Sequence, residues 1–102
     1  MRRKMYAQVV CADGFSMSVQ ASSTSYCSPR EDNAARYDHV EVGFPSEHEV
    51  LLMPWVEDHE NPCSTVYGYV PVQTVTNVIA KHGGMYTGEV PPGVHALKCS
   101  GR

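Results

Sequence analysis

The sequence has no pair of cysteines at Cys-x-x-Cys spacing. Its four, Cys11, Cys27, Cys63 and Cys99, stand 16, 36 and 36 residues apart. A zinc knuckle or ribbon draws its ligands from such close pairs, so the spacing argues against structural zinc of that kind. The chain also lacks an apolar run of the ~18 residues a spanning helix needs. Met1-Arg2-Arg3-Lys4 leads into Met5-Tyr6-Ala7-Gln8 rather than into the apolar stretch and small-residue cleavage site of a signal peptide. These absences predict a cytoplasmic protein with reduced thiols and no disulfide framework. No Gly-x-Gly-x-x-Gly, Walker loop or serine nucleophile elbow occurs. Gly83-Gly84 ends a predicted helix, whereas a phosphate cradle begins one.

Basic residues are scarce in the middle of the chain. From Glu31 to Glu60 nine acidic residues (Glu31, Asp32, Asp38, Glu41, Glu47, Glu49, Glu57, Asp58, Glu60) face only Arg36, a block of −8 within a chain whose net charge is −3. Such a block repels nucleic acid and attracts basic surfaces. The plain explanation is a solvated face that keeps a small protein in solution. The functional one is a contact surface built from Glu31, Asp32, Glu47, Glu49, Glu57, Asp58 and Glu60. Aromatics do not interleave with basic residues, and Tyr67 and Tyr69 stand beside no Arg or Lys, which argues against an RNA-stacking sheet.

What is present suits one folded domain. The 102 residues, 42% of them hydrophobic and 19% charged, provide for a single core and not for two. Phe15, Met17, Val19 and Ala21 alternate with Ser16, Ser18, Gln20 and Ser22, the period of a half-buried strand. The apolar Tyr6–Cys11 stretch before it and the Ala12-Asp13-Gly14 turn between them make a β-hairpin. Residues 23 to 36 read as a loop that Cys27 enters at the strand end. Residues 37 to 44 alternate again, with Val40, Val42 and Phe44 inward, and Pro45 stops that strand. Ser46-Glu47-His48-Glu49 has the form of a capping box, which predicts a short helix from about residue 47 to Met53 that places Val50, Leu51 and Met53 on the sheet. An extended segment is the alternative there.

Residues 57 to 62 read as a loop and Thr65–Val70 as a fourth strand. Pro71 then opens an amphipathic helix with Val72, Val75, Val78 and Ile79 inward and Gln73, Thr74, Thr76 and Asn77 outward, ended by Gly83-Gly84. Residues 85 to 102, with Pro91-Pro92-Gly93, read as an extended or flexible tail. The expected fold is α+β: one domain over residues 1–84, with a small antiparallel sheet of about four strands, the C-terminal helix across one face and a second short helix as an option.

Two chemical arrangements can be drawn from residue types alone. Cys27 with His39 and Asp38 supplies a thiol, an imidazole and an orienting carboxylate, although no nucleophile signature surrounds Cys27. His48, Asp58, His59 and Glu60 are metal-ligating types, but Asp58-His59-Glu60 in extended chain point alternately and do not face one ion. His82 and His95 lie in the helix terminus and the tail, and each reads as a capping or solvated histidine. Neither arrangement implies a cofactor.

Taken together, YAQVVCADGFSMSVQAS, YCSPRED, VEVGFPSE and VYGYVPVQTVTNVIAKHGGM resemble a group of small proteins carried by phages and prophages of proteobacteria, over roughly residues 5 to 85. No catalytic motif attaches to that group, so no residue role carries over. The resemblance implies a non-enzymatic accessory protein that binds and inhibits a host protein, an anti-CRISPR or other anti-defence inhibitor being the concrete form. A carboxylate can replace a phosphate as the partner of an Arg or Lys, which makes an acidic surface a sensible means to that end. The alternatives are a small metal- or thiol-dependent enzyme, and a self-associating assembly factor such as a homodimer paired through a sheet edge. No membrane contact is expected.

Overall fold

The computed structural model describes residues 5–99. The chain forms β1 (Val9–Cys11), β2 (Ser16–Gln20), β3 (His39–Gly43), a 3₁₀ turn (Met53–Trp55), β4 (Val66–Pro71), α1 (Val72–Lys81) and β5 (Met85–Thr87). The strands lie in one five-stranded sheet in the order β4-β3-β2-β1-β5, each neighbouring pair antiparallel. This is the α+β class expected, with one strand more than the pattern predicted.

The hairpin forms as its residues dictate. Gly14 takes a φ of 96°, and the Asp13 side chain closes the turn by accepting from the Phe15 N–H at 2.9 Å. Val9 then pairs with Met17. Phe15, Met17, Val19 and Ala21 are all buried, while Ser16, Ser18 and Gln20 are partly open. On β3, Val40 and Val42 enter the same core, but Phe44 does not. Its φ of 50° takes it out of strand geometry and its ring lies 55% exposed, so alternation stops one residue before the pattern predicted.

The β3–β4 pairing contains a bulge. Val40 pairs with Val70 and Val42 with Tyr67, so Gly68 and Tyr69 together oppose Glu41. Tyr67 on one side of the bulge is fully buried and its hydroxyl donates to the Pro62 carbonyl at 2.7 Å. Tyr69, within the bulge, takes a φ of 53° and is exposed.

Helix α1 begins directly after Pro71 and buries Val75, Val78 and Ile79 in the core shared with Met17, Val19, Val40 and Val42. Thr76, expected outward, is buried as well. Its hydroxyl donates to the Val72 carbonyl at 3.1 Å and accepts the His95 N–H at 3.1 Å. The Gly84 and Gly83 N–H groups close the helix on Ile79 and Ala80 carbonyls, with both glycines at positive φ.

Two further segments depart from the pattern. The helix from about residue 47 to Met53 is replaced by the 3₁₀ turn Met53–Trp55, because Ser46 does not act as a cap. Its Oγ instead accepts the Ser16 N–H at 3.0 Å, and Glu49 turns inward. Leu52 is the buried side chain, while Val50 and Leu51 are exposed. The segment expected to be an extended or flexible tail from residue 85 packs in part: β5 pairs with β1, Met85 and Val94 are buried, the Met85 N–H donates to the Leu97 carbonyl and the Cys99 N–H to the Met85 carbonyl. Residues 100–102 of that segment, like 1–4, lie outside the described residues. The Tyr37 N–H donates to the Pro92 carbonyl at 2.9 Å. Irregular backbone of this sort is satisfied by distant partners and leaves no periodic trace in sequence.

Candidate functional site

Six of the seven acidic candidates, Glu31, Asp32, Glu47, Glu57, Asp58 and Glu60, are exposed. Among the described residues none of the six has a Lys, Arg or His ion-pair partner. Glu57 opens the turn that also carries Asp58 and Glu60, and its N–H donates to the Val66 carbonyl on the side of β4 away from β3. In that turn the Asn61 side chain and the Glu60 N–H bond the Asp58 carboxylate and hold it below the usual range. Glu31 and Asp32 lie on the loop that also carries Tyr26, and Asp32 accepts the Ser23 N–H at 2.9 Å. Glu47 stands apart from these, beside the Ser46–Ser16 contact at the start of β2.

The Glu57 turn and the Tyr26 loop meet around Gly68. A Cβ built there would lie 3.3 Å from the Tyr26 Cβ and 3.4 Å from Glu57 Oε2, so a glycine allows the loop and the carboxylate to close on the strand. The Tyr69 N–H donates to the Tyr26 carbonyl at 3.0 Å, while the Tyr26 N–H donates to Glu41 Oε1 at 2.8 Å. These bonds set the Tyr26 and Tyr69 rings side by side, centroids 6.0 Å apart and tilted by 32°. The Arg30 guanidinium carbon lies 5.6 Å from the Tyr26 ring centroid. The result is a surface of two half-open tyrosines bordered by the Glu57 carboxylate on one side and the Arg30 guanidinium on another. Sequence reasoning placed Tyr69 in an ordinary strand; the glycine inside that strand was the available sign of a bulge.

Glu49 is not part of this surface. It is 2% exposed and sits in a buried charge cluster. His82 Nε2 is 2.6 Å from Glu49 Oε1 and His82 Nδ1 is 2.6 Å from Asp13 Oδ2. Lys81 Nζ donates to Glu49 Oε2 at 2.8 Å and the Leu51 N–H to the same oxygen at 3.0 Å. Phe15 stacks on the imidazole at 4.1 Å between centroids and 13° between planes. With a carboxylate at each ring nitrogen, both nitrogens donate, which requires the imidazolium. Burial works to lower the His82 pKa, but Glu49 and Asp13 outweigh it and raise it. Burial works to raise Glu49, and Lys81, His82 and the Leu51 N–H hold it below the usual carboxylate range. Asp13 is lowered by the Phe15 N–H and then by His82. His82 is thus a buried tie joining the hairpin turn, the 44–52 loop and the helix end, where a capping or solvated histidine was expected. With 8% of its surface open under Phe15, the imidazole is placed to hold these segments and not to meet a ligand.

The thiol arrangement does not assemble. Cys27 is 1% exposed, and its thiol donates to the carbonyls of Ser22 at 3.2 Å and Pro29 at 3.4 Å rather than to an imidazole. Burial pushes its pKa up, the reverse of what activates a nucleophile. Cys11 is driven in the same direction, to about 11, by burial and then by the Asp13 charge. All four cysteines are free thiols, and among the described residues no three His, Cys, Asp or Glu side chains are placed to hold a metal ion. A shallow depression of about 260 Å³ between Arg36 and His95 includes none of the acidic candidates. Among the described residues no helix is long and apolar enough to cross a membrane.

No protein-family model, curated protein or solved structure matches the chain.

Proposed function

We propose that the protein is a non-enzymatic binding protein that captures a basic, nucleic-acid-binding surface of a host protein through Glu31, Asp32, Glu57, Asp58 and Glu60, with Glu47 at the margin. The observation that carries this reading is the set of exposed carboxylates with no cationic partner among the described residues. Ordinary solvated faces mix both signs of charge. Here the turn from Glu57 to Glu60 carries three carboxylates and no Lys or Arg, and the loop beside it presents Glu31 and Asp32 along with Arg30, next to exposed tyrosines of the kind enriched at interface centres. The resemblance to phage and prophage proteins supplies the biological setting, inhibition of a host defence effector such as a CRISPR complex. In that setting the carboxylates occupy positions that nucleic-acid phosphates otherwise take.

The test is recovery of a host partner on the immobilised protein at low and high salt, with nucleic acid as competitor. The expected partner elutes at high salt and is displaced by nucleic acid. Reversing Glu57, Asp58 and Glu60 to Lys weakens its binding about tenfold or more, mainly through a slower on-rate. Retention of the same partner by the charge-reversed protein refutes the proposal.

A further inference from the structure

Among the described residues three that are not glycine hold a positive φ: Asn33, Phe44 and Tyr69. Asparagine is at ease in that region; a bulky aromatic is not. Tyr69 gains little packing in return, since 46% of it is exposed. The bulge needs a residue that tolerates the left-handed conformation, and Asn or Gly would meet that need with less strain. An exposed tyrosine kept at a strained position is a reason to look for what its ring touches outside the chain.

Its surroundings specify the chemistry. Tyr69 stands beside Tyr26, 6.0 Å between centroids, and Tyr26 already carries a guanidinium, that of Arg30, 5.6 Å from its ring centroid. The Glu57 carboxylate lies over Gly68, immediately before Tyr69, and among the described residues no cation pairs with it. An aromatic face next to an unpaired carboxylate suits a planar cation that can stack and donate two hydrogen bonds at once. That describes arginine and not lysine.

We propose that Tyr69 and Glu57 form an arginine-reading site, in which a partner's guanidinium stacks on the Tyr69 ring and donates to the Glu57 carboxylate, as Arg30 stacks on Tyr26. This rests on the acidic-surface reading and names the partner side chain it selects. Asp58 and Glu60 in the same turn supply the long-range attraction, and Tyr69 with Glu57 supplies the discrimination between the two basic side chains.

The experiment uses two blocked peptides of equal charge, four Gly-Arg repeats and four Gly-Lys repeats, titrated into the full chain at low salt with the tyrosine ring signals followed by NMR. The arginine peptide is expected to bind about two- to fivefold more tightly, the range of an exposed cation–π contact, and to shift the Tyr69 ring signals. Tyr69→Asn is expected to abolish that preference while raising the melting midpoint by on the order of 4 °C, because asparagine tolerates the left-handed backbone. Equal binding of both peptides with the ring signals unmoved overturns the arginine site and leaves the acidic surface standing. Failure of both peptides to bind overturns both readings. A Tyr69→Asn protein that melts lower than the parent overturns the strain argument. Ring signals that move with protein concentration alone assign the surface to a second copy of the chain and overturn the proposal.

Discussion

Replacing His82 by Leu should destabilise the protein by about 3 kcal/mol, the low end of the cost of breaking a buried ion pair. The perturbation removes the donor to Glu49 Oε1 and leaves a carboxylate that is 2% exposed with Lys81 and the Leu51 N–H as its remaining partners. Those contacts, both on Oε2, are why the low end applies: half of the buried carboxylate stays solvated by the protein and half does not. Loss of the Phe15 stack adds to the effect, offset in part by the apolar contact leucine makes in its place. For a domain of this size the midpoint should fall by about 12–24 °C. Urea titration near pH 6 of His82→Leu, Glu49→Leu and the double variant separates the pair from its surroundings. The double variant should recover part of the loss, because two apolar side chains leave no charge stranded, and the coupling should exceed about 1.5 kcal/mol. Additive single effects, or a His82→Leu protein within about 1 kcal/mol of the parent, would refute the imidazolium tie.

The same cluster sets a pH window. His82 is raised above its ordinary 6.5, so its contribution is complete below that value and is lost as pH rises through the folded pKa. Glu49 is lowered below its ordinary 4.5, so its contribution is complete above that value and is lost as pH falls through the folded pKa. Thermal stability should therefore peak between about pH 4.5 and 6.5, and the peak should flatten in the double Leu variant. A profile unchanged by those substitutions would sink the assignment. Truncation after Gly84 should cost more than about 3 kcal/mol, since it removes β5 with its buried Met85 and exposes the outer edge of β1. A truncated protein with parental stability in urea would show that the last segment is dispensable to the fold.

Local pattern carried the hairpin, β3, β4 and α1, because each buries one face and the required period of two or 3.6 is written in its residues: Met17 and Val19 against Ser16 and Ser18, Val75 and Val78 against Gln73 and Asn77. The pattern failed at Phe44 and Tyr69, where a single positive φ turns a side chain through the sheet surface, and a dihedral angle has no letter in the sequence. It failed for β5 and the chain after it because a three-residue strand followed by Pro91-Pro92-Gly93 owes its order to β1 and Tyr37, far away along the chain.

The acidic block illustrates the division best. Composition alone determined that residues 31 to 60 carry a large negative excess. Charge is additive along the chain and needs no fold to be counted. Only the tertiary structure decided what each carboxylate does. It took Glu49 into the interior as a counter-ion for His82 and Lys81, and left Glu57 without a cationic partner among the described residues, beside Tyr26 and Gly68. The reason is physical: whether a carboxylate is a buried tie or a surface contact depends on which cations and N–H groups reach it, and in this chain His82 reaches Glu49 from 33 positions away.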